Sequence, residues 1–93
     1  MIPLLAKPRL ASKARLRLDR VAQRYVLLSP EKGLVMNTTG SAISRLCTGE
    51  HSVNSMIDAL SREYPGADRA RIQTEVLSFL DTLLDRGLIV VDS

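Results

Sequence analysis

The hydrophobic period of this chain changes near Asn37, and that change restricts it to folds in which a small sheet precedes helices. Before it, Leu16 and Leu18 alternate with Arg15, Arg17 and Asp19, the period of a strand with one buried and one wet face. Tyr25, Val26, Leu27 and Leu28 form an aromatic, β-branched and aliphatic run that suits a second, more central strand. Pro30 and Gly33 bracket a turn, because proline presets φ and glycine accepts positive φ on leaving it. Leu34, Val35, Met36 and Asn37 follow as a short third strand, giving an antiparallel meander.

After Asn37 the apolar positions step by three and four, as on a helix face. Asn37, Thr38 or Thr39 can cap a short first helix, Ile43, Leu46 and Cys47 share one side of it, and Gly49 can end it. Ser52 can cap a second, carrying Val53, Met56, Ile57, Leu60 and Tyr64 until Pro65 and Gly66 stop it. Asp68 can cap the third and longest, which runs to about Arg86 and closes at Gly87, after which "LIVVD" can add a terminal strand.

The expected class is α+β, a winged helix-turn-helix-like fold with a three-stranded antiparallel meander followed by three α-helices. A chain of 93 residues holds one domain with one modest core. Residues 1–13, interrupted by Pro3 and Pro8, are expected as an extended arm, and residues 14–93 as the single folded domain. Tyr25, Tyr64 and Phe79 are the only aromatic residues, so the core must be aliphatic and platforms for stacking bases are largely missing.

Charge is unevenly placed. Residues 1–24 carry Lys7, Arg9, Lys13, Arg15, Arg17, Arg20 and Arg24 against Asp19 alone, while the remainder is net acidic. Such a front can bind nucleic acid or an acidic protein, or can simply keep an edge strand from aggregating. The third helix mixes Arg69, Arg71 and Arg86 with Asp68, Glu75, Asp81 and Asp85, a poor balance for entering a major groove. DNA binding by a small winged-helix protein is therefore the alternative and not the first reading.

Catalytic chemistry is hard to assemble. His51 is the only histidine and Cys47 the only cysteine, so neither a zinc site nor an intramolecular disulfide can be completed. Cys47 lies on an apolar helix face, where a buried thiol is the default, and no phosphate-binding glycine motif is present. No catalytic residue, cofactor or metal is expected. No apolar run has the length of a membrane span, and "MIPLLAKPRL" is too short and proline-broken for a secretory signal, so a cytoplasmic protein with no membrane partner is expected.

The third helix carries a wide apolar stripe. At 100° per residue, Phe79, Ile72, Leu83, Val76, Leu80, Leu84 and Leu77 sweep about 160°, against the roughly 100° of a one-sided surface helix. Leu77, Leu80 and Leu84, beside Asp81, form its surplus edge. A short strand with an open side next to such a helix has the geometry for β-augmentation, in which a peptide joins as one more strand. Leu34, Val35, Met36 and Asn37 would offer the edge, and Leu77, Leu80, Asp81 and Leu84 the opposite wall.

The run "RYVLLSPEKGLVMNTTGSAISRLCTGEHSVNSMIDAL" resembles the family of pyrroloquinoline quinone biosynthesis protein D (PqqD). The matching positions are Asp19, Leu27, Leu28, Pro30, Glu31, Asn37, Thr39, Ile43, Leu46, Cys47, Gly49, Val53, Ile57, Leu60 and Tyr64, then Phe79, Leu80, Leu83, Gly87 and Leu88. The resemblance implies a non-catalytic RiPP recognition element that binds the precursor peptide PqqA along the third strand and last helix. It also implies presentation of that peptide to PqqE, a radical S-adenosylmethionine enzyme, for which the basic face of Arg15, Arg17 and Arg24 is a candidate surface. Gly40 and Thr48 depart from the residues usual in the family and lie away from the expected groove. The oligomeric state is left open between monomer and dimer, including a dimer that exchanges strands.

Overall fold

The computed structural model describes residues 2–21, 23–28, 33–35 and 38–92. Along the chain run β1 (Lys7–Leu10), β2 (Arg15–Asp19), β3 (Arg24–Leu28), β4 (Gly33–Val35), α1 (Thr38–Arg45), α2 (Val53–Glu63), α3 (Arg69–Asp85) and β5 (Ile89–Asp92). The class is mixed α+β. One antiparallel sheet has the order β2-β3-β4, and β1 pairs with β5 in a second. Met36 and Asn37, expected in the strand that is β4, lie outside the described residues.

Alternation places the sheet on the core. Leu16 stands opposite Leu27, and Leu27 opposite Leu34. Leu27 is fully buried and Leu16 half-buried, whereas Arg15 and Arg17 are exposed. Around Leu27 gather Ile43 of α1, Met56, Ile57 and Leu60 of α2, and Val76, Leu80 and Leu83 of α3, all between 0% and 1% exposed. The centre is aliphatic, as the shortage of aromatic residues requires.

The segment 1–13 is expected as an extended arm, and its described part is instead tied into the body. Lys7 pairs with Asp92 and Leu10 with Ile89, so β1 covers one side of β5. On its other side Leu10 N donates to Cys47 O at 3.1 Å, and Gly49 N donates to Pro8 O at 3.0 Å. Pro8 fits here because its missing N–H would point toward the connector, where only its carbonyl is used. Upstream, Ala6 O and Leu4 O accept from Val53 N and Asn54 N, both at 2.9 Å. These are N–H groups that the start of α2 cannot satisfy internally, and Ser52 Oγ accepts a third from Ser55 N at 3.1 Å. The partners of this segment lie far away in sequence, so no local pattern announces the docking.

The end of α3 aims β5 at β1. Gly87 has φ +69, Gly87 N donates to Leu84 O at 3.0 Å, and Leu88 N reaches Leu83 O at 2.9 Å. This is a Schellman closure with its hydrophobic contact, since Leu83 and Leu88 are both buried. Glycine is needed because a side chain at that φ is strained.

Candidate functional site

β4 pairs with β3 on one side, and among the described residues no strand lies on its other side. The backbone groups of such an edge are available to an added strand. The chain passes from β4 into α1, so Thr39 and Gly40 stand just beyond the end of the edge. Between α1 and α3 opens a groove of about 440 Å³, lined by Thr39, Gly40, Ile43, Thr74, Glu75, Ser78, Phe79 and Thr82. Its floor is apolar, with Ile43 buried and Phe79 half-buried.

Its rim is polar and rich in acceptors. The Thr74 hydroxyl donates to Ala70 O at 3.0 Å and the Thr82 hydroxyl to Ser78 O at 3.1 Å, which leaves both oxygens free to accept. Glu75 adds a carboxylate whose 3.6 Å contact with Arg71 is solvent-exposed and weakly held. An extended peptide presents N–H donors and alternating side chains, and this floor and rim can accept both.

A second hollow of about 490 Å³ continues toward the start of α3, lined by Thr39, Leu60, Tyr64, Gly66, Ala67, Asp68, Arg71, Ile72 and Glu75. Thr39 and Glu75 belong to both. The frame around them is braced. Arg69 meets Asp58 at 2.6 Å and reaches Asn54 Oδ1 at 3.4 Å, joining α3 to α2, while Arg45 lies 5.5 Å from the Tyr25 ring centre, joining α1 to β3.

Of the expected peptide-binding residues, Leu34 and Val35 lie on β4, and Met36 and Asn37 are outside the described residues. Leu80 needs correction as a wall residue: it is 0% exposed and belongs to the core. Leu77 and Asp81 are half-buried and Leu84 is 42% exposed, but none of the three lines the groove. With Ile72, Val76, Leu80 and Leu83 facing inward, Leu77 and Leu84 fall on one flank of α3, and Phe79 with Thr74, Ser78 and Thr82 on the other. The surplus of leucine points to the Leu77 and Leu84 flank. The sequence signal for the groove flank is the row Thr74, Ser78, Thr82, small hydroxyl residues at four-residue spacing that leave room beside Phe79.

Cys47 is buried and its thiol donates to Ile43 O at 3.4 Å. Burial pushes the thiol from 9.0 up to about 12, so it stays protonated and packs as a small apolar group. His51 is half-buried in the α1–α2 connector. Among the described residues, no group of three or more His, Cys, Asp or Glu could hold a metal ion, and no helix is long and apolar enough to cross a membrane.

The family of coenzyme PQQ synthesis protein D (PqqD) matches residues 24–89. The chain is 40% identical over 84 residues to the PqqA binding protein of Rhodopseudomonas palustris strain BisB5, covering 90% of this chain and 81% of that protein. It is 37% identical over 75 residues to the PqqA binding protein of Methylococcus capsulatus, covering 81% and 77% of the two. Among solved structures it resembles the solution NMR structure of the PqqD truncation of Methylobacterium extorquens PqqCD, a functional and stand-alone RiPP recognition element. The TM-score is 0.76 at 31% identity, over 89% of this chain and 87% of that one.

Proposed function

The chain belongs to the coenzyme PQQ synthesis protein D family, and on that footing we propose that it binds a PqqA-type precursor peptide in pyrroloquinoline quinone biosynthesis and catalyses no step itself. The observation that carries this reading is the side of β4 that no strand among the described residues occupies, together with a groove that has an apolar floor and an acceptor-rich rim. The peptide adds as a strand along residues 34–37 and turns alternate side chains toward Ile43 and Phe79. The names of the relatives support the identity of the ligand.

In this reading the domain is winged-helix-like, with the meander β2-β3-β4 as its wing, and it works in the cytoplasm. It presents the held peptide to the radical S-adenosylmethionine enzyme PqqE, with the exposed Arg15 and Arg17 on β2 as the docking face. The nucleic-acid alternative drew on a basic arm, and backbone groups of that segment from Leu4 to Leu10 are already engaged with α2 and the connector.

Isothermal titration with the PqqA-type precursor peptide at low and at moderate salt tests this. One-to-one binding that survives the added salt is expected, since strand pairing in an apolar groove depends little on ionic strength. Absence of binding, with PqqE both omitted and present, overturns the reading. Affinity for duplex DNA that collapses as salt rises would favour the alternative.

A further inference from the structure

We propose that the second hollow, where the end of α2 meets the start of α3, seats one apolar side chain of the same bound peptide, beyond the stretch that pairs with β4. This rests on the peptide-binding reading above. The two hollows share Thr39 and Glu75, so they form one trough along a flank of α3 spanning residues 68–82. At about 1.5 Å per helical residue that trough is roughly 21 Å long. An extended peptide at about 3.3 Å per residue needs about six residues to cross it. The pairing proposed along residues 34–37 takes up only part of that length.

The chemistry of the hollow selects its occupant. Its floor is Leu60 at 1% and Ile72 at 6% exposure, with half-buried Tyr64 beside them. The charged groups stand at its exposed rim, away from that floor: Arg71 faces Glu75 across a weak 3.6 Å contact, and Asp68 caps α3 by accepting from Ala70 N at 3.1 Å. A charged side chain entering the floor would lose water and gain no partner there, whereas an aliphatic or aromatic one gains burial. Entry is over a low lip of Gly66 and Ala67, both exposed. A Cβ built on Gly66 meets nothing within 4 Å, so a side chain added there starts in open space.

The test titrates the full-length PqqA-type precursor peptide, and versions trimmed stepwise from each end, into the unsubstituted protein, Ala67→Trp and Gly66→Trp. Thermal melts confirm that the variants stay folded. For the full-length peptide, both variants should bind about tenfold more weakly, the factor for losing the burial of one apolar side chain. One trimmed peptide should bind the unsubstituted protein about tenfold more weakly and should not distinguish the variants from it. If both variants bind the full-length peptide as tightly as the unsubstituted protein, the hollow is unused and this proposal falls while the groove reading stands. If the unsubstituted protein binds no peptide, the groove reading falls and takes this proposal with it.

Discussion

β1 and β4 are both short, 4 and 3 residues, yet their edges have opposite fates. β1 lies between β5 and the α1–α2 connector, and the loop before it caps α2. β4 has β3 on one side only among the described residues. Strand length does not separate the two, and composition does so in the opposite sense, since the charged, proline-bearing KPRL is the closed strand and the apolar GLV the open one. What separates them is whether a distant part of the chain returns to occupy the second side. A strand closed on both sides contributes stability, and a strand left open is where a partner chain can complete the sheet.

The contrast breaks most visibly on the closed side. Deleting residues 2–10 removes the buried Ile2, Ala6 and Pro8, uncovers β5 and leaves donors of α2 unsatisfied. The expected loss is about 3–5 kcal/mol, from apolar burial plus several hydrogen bonds, and it is enough to unfold a small domain. Urea denaturation followed by circular dichroism measures it. Unchanged stability would mean that the closed edge is ornamental and the comparison is wrong.

A smaller effect on the same side follows from Cys47, whose carbonyl accepts from β1. Its folded thiol titrates near 12 against an ordinary 9.0. Below the lower value both states hold the proton, and the contribution to stability is full. Between the two values the unfolded chain gives up its proton while the folded one keeps it, so stability falls as pH rises, by up to about 1.4 kcal/mol per pH unit. Cys47→Ala should flatten this alkaline limb, as urea midpoints taken at about pH 8 and about pH 10.5 would reveal. Equal slopes in the two proteins would show that the thiol is not held by burial.

These two sides were unequally legible in the sequence. Ser52, Asp68 and Gly87 mark helix ends, because a cap or a positive φ is a local demand met by a local residue, whereas Gly49, expected to end the first helix, takes its positive φ in the connector, four residues past Arg45, where its N–H donates to Pro8 O. The strands of the larger sheet showed themselves in the alternation around Leu16 and Leu27. The docking of residues 4–11 did not, since Ala6 and Val53 come together only in the folded chain. On α3 the apolar stripe was visible, but which of its flanks faces a groove depends on where α1 packs, and periodicity carries no information about that.

On the open side, proline substitution tells the two edges of β4 apart. Successive N–H groups of a strand point to opposite edges, so of Leu34 and Val35 one donates toward β3 and the other outward. Leu34→Pro and Val35→Pro should therefore behave differently. One lowers the melting temperature by breaking the β3–β4 ladder. The other leaves stability nearly unchanged and weakens binding of the PqqA-type peptide about tenfold, the loss of one interfacial hydrogen bond. If neither changes peptide affinity, no strand adds at β4.

The smallest expected effect is the most selective, because it separates the two flanks of α3. Leu84 is 42% exposed on the flank away from the groove, while exposed Ser78 lines the groove itself. Leu84→Asp puts an acid in the last turn of α3, where the helix dipole disfavours it and Asp81 and Asp85 are already present. Stability should fall by about 0.3–1 kcal/mol for that reason alone. Peptide affinity should stay within about twofold of the unsubstituted protein, since the new charge faces no part of the groove. Ser78→Trp is the matched opposite: its added bulk stands over Phe79 and Ile43, where the peptide must pack, and it should weaken binding at least tenfold with little change in melting temperature. The reverse pattern, with Leu84→Asp blocking the peptide and Ser78→Trp tolerated, would move the binding wall to the leucine flank and leave the Phe79 groove without a role.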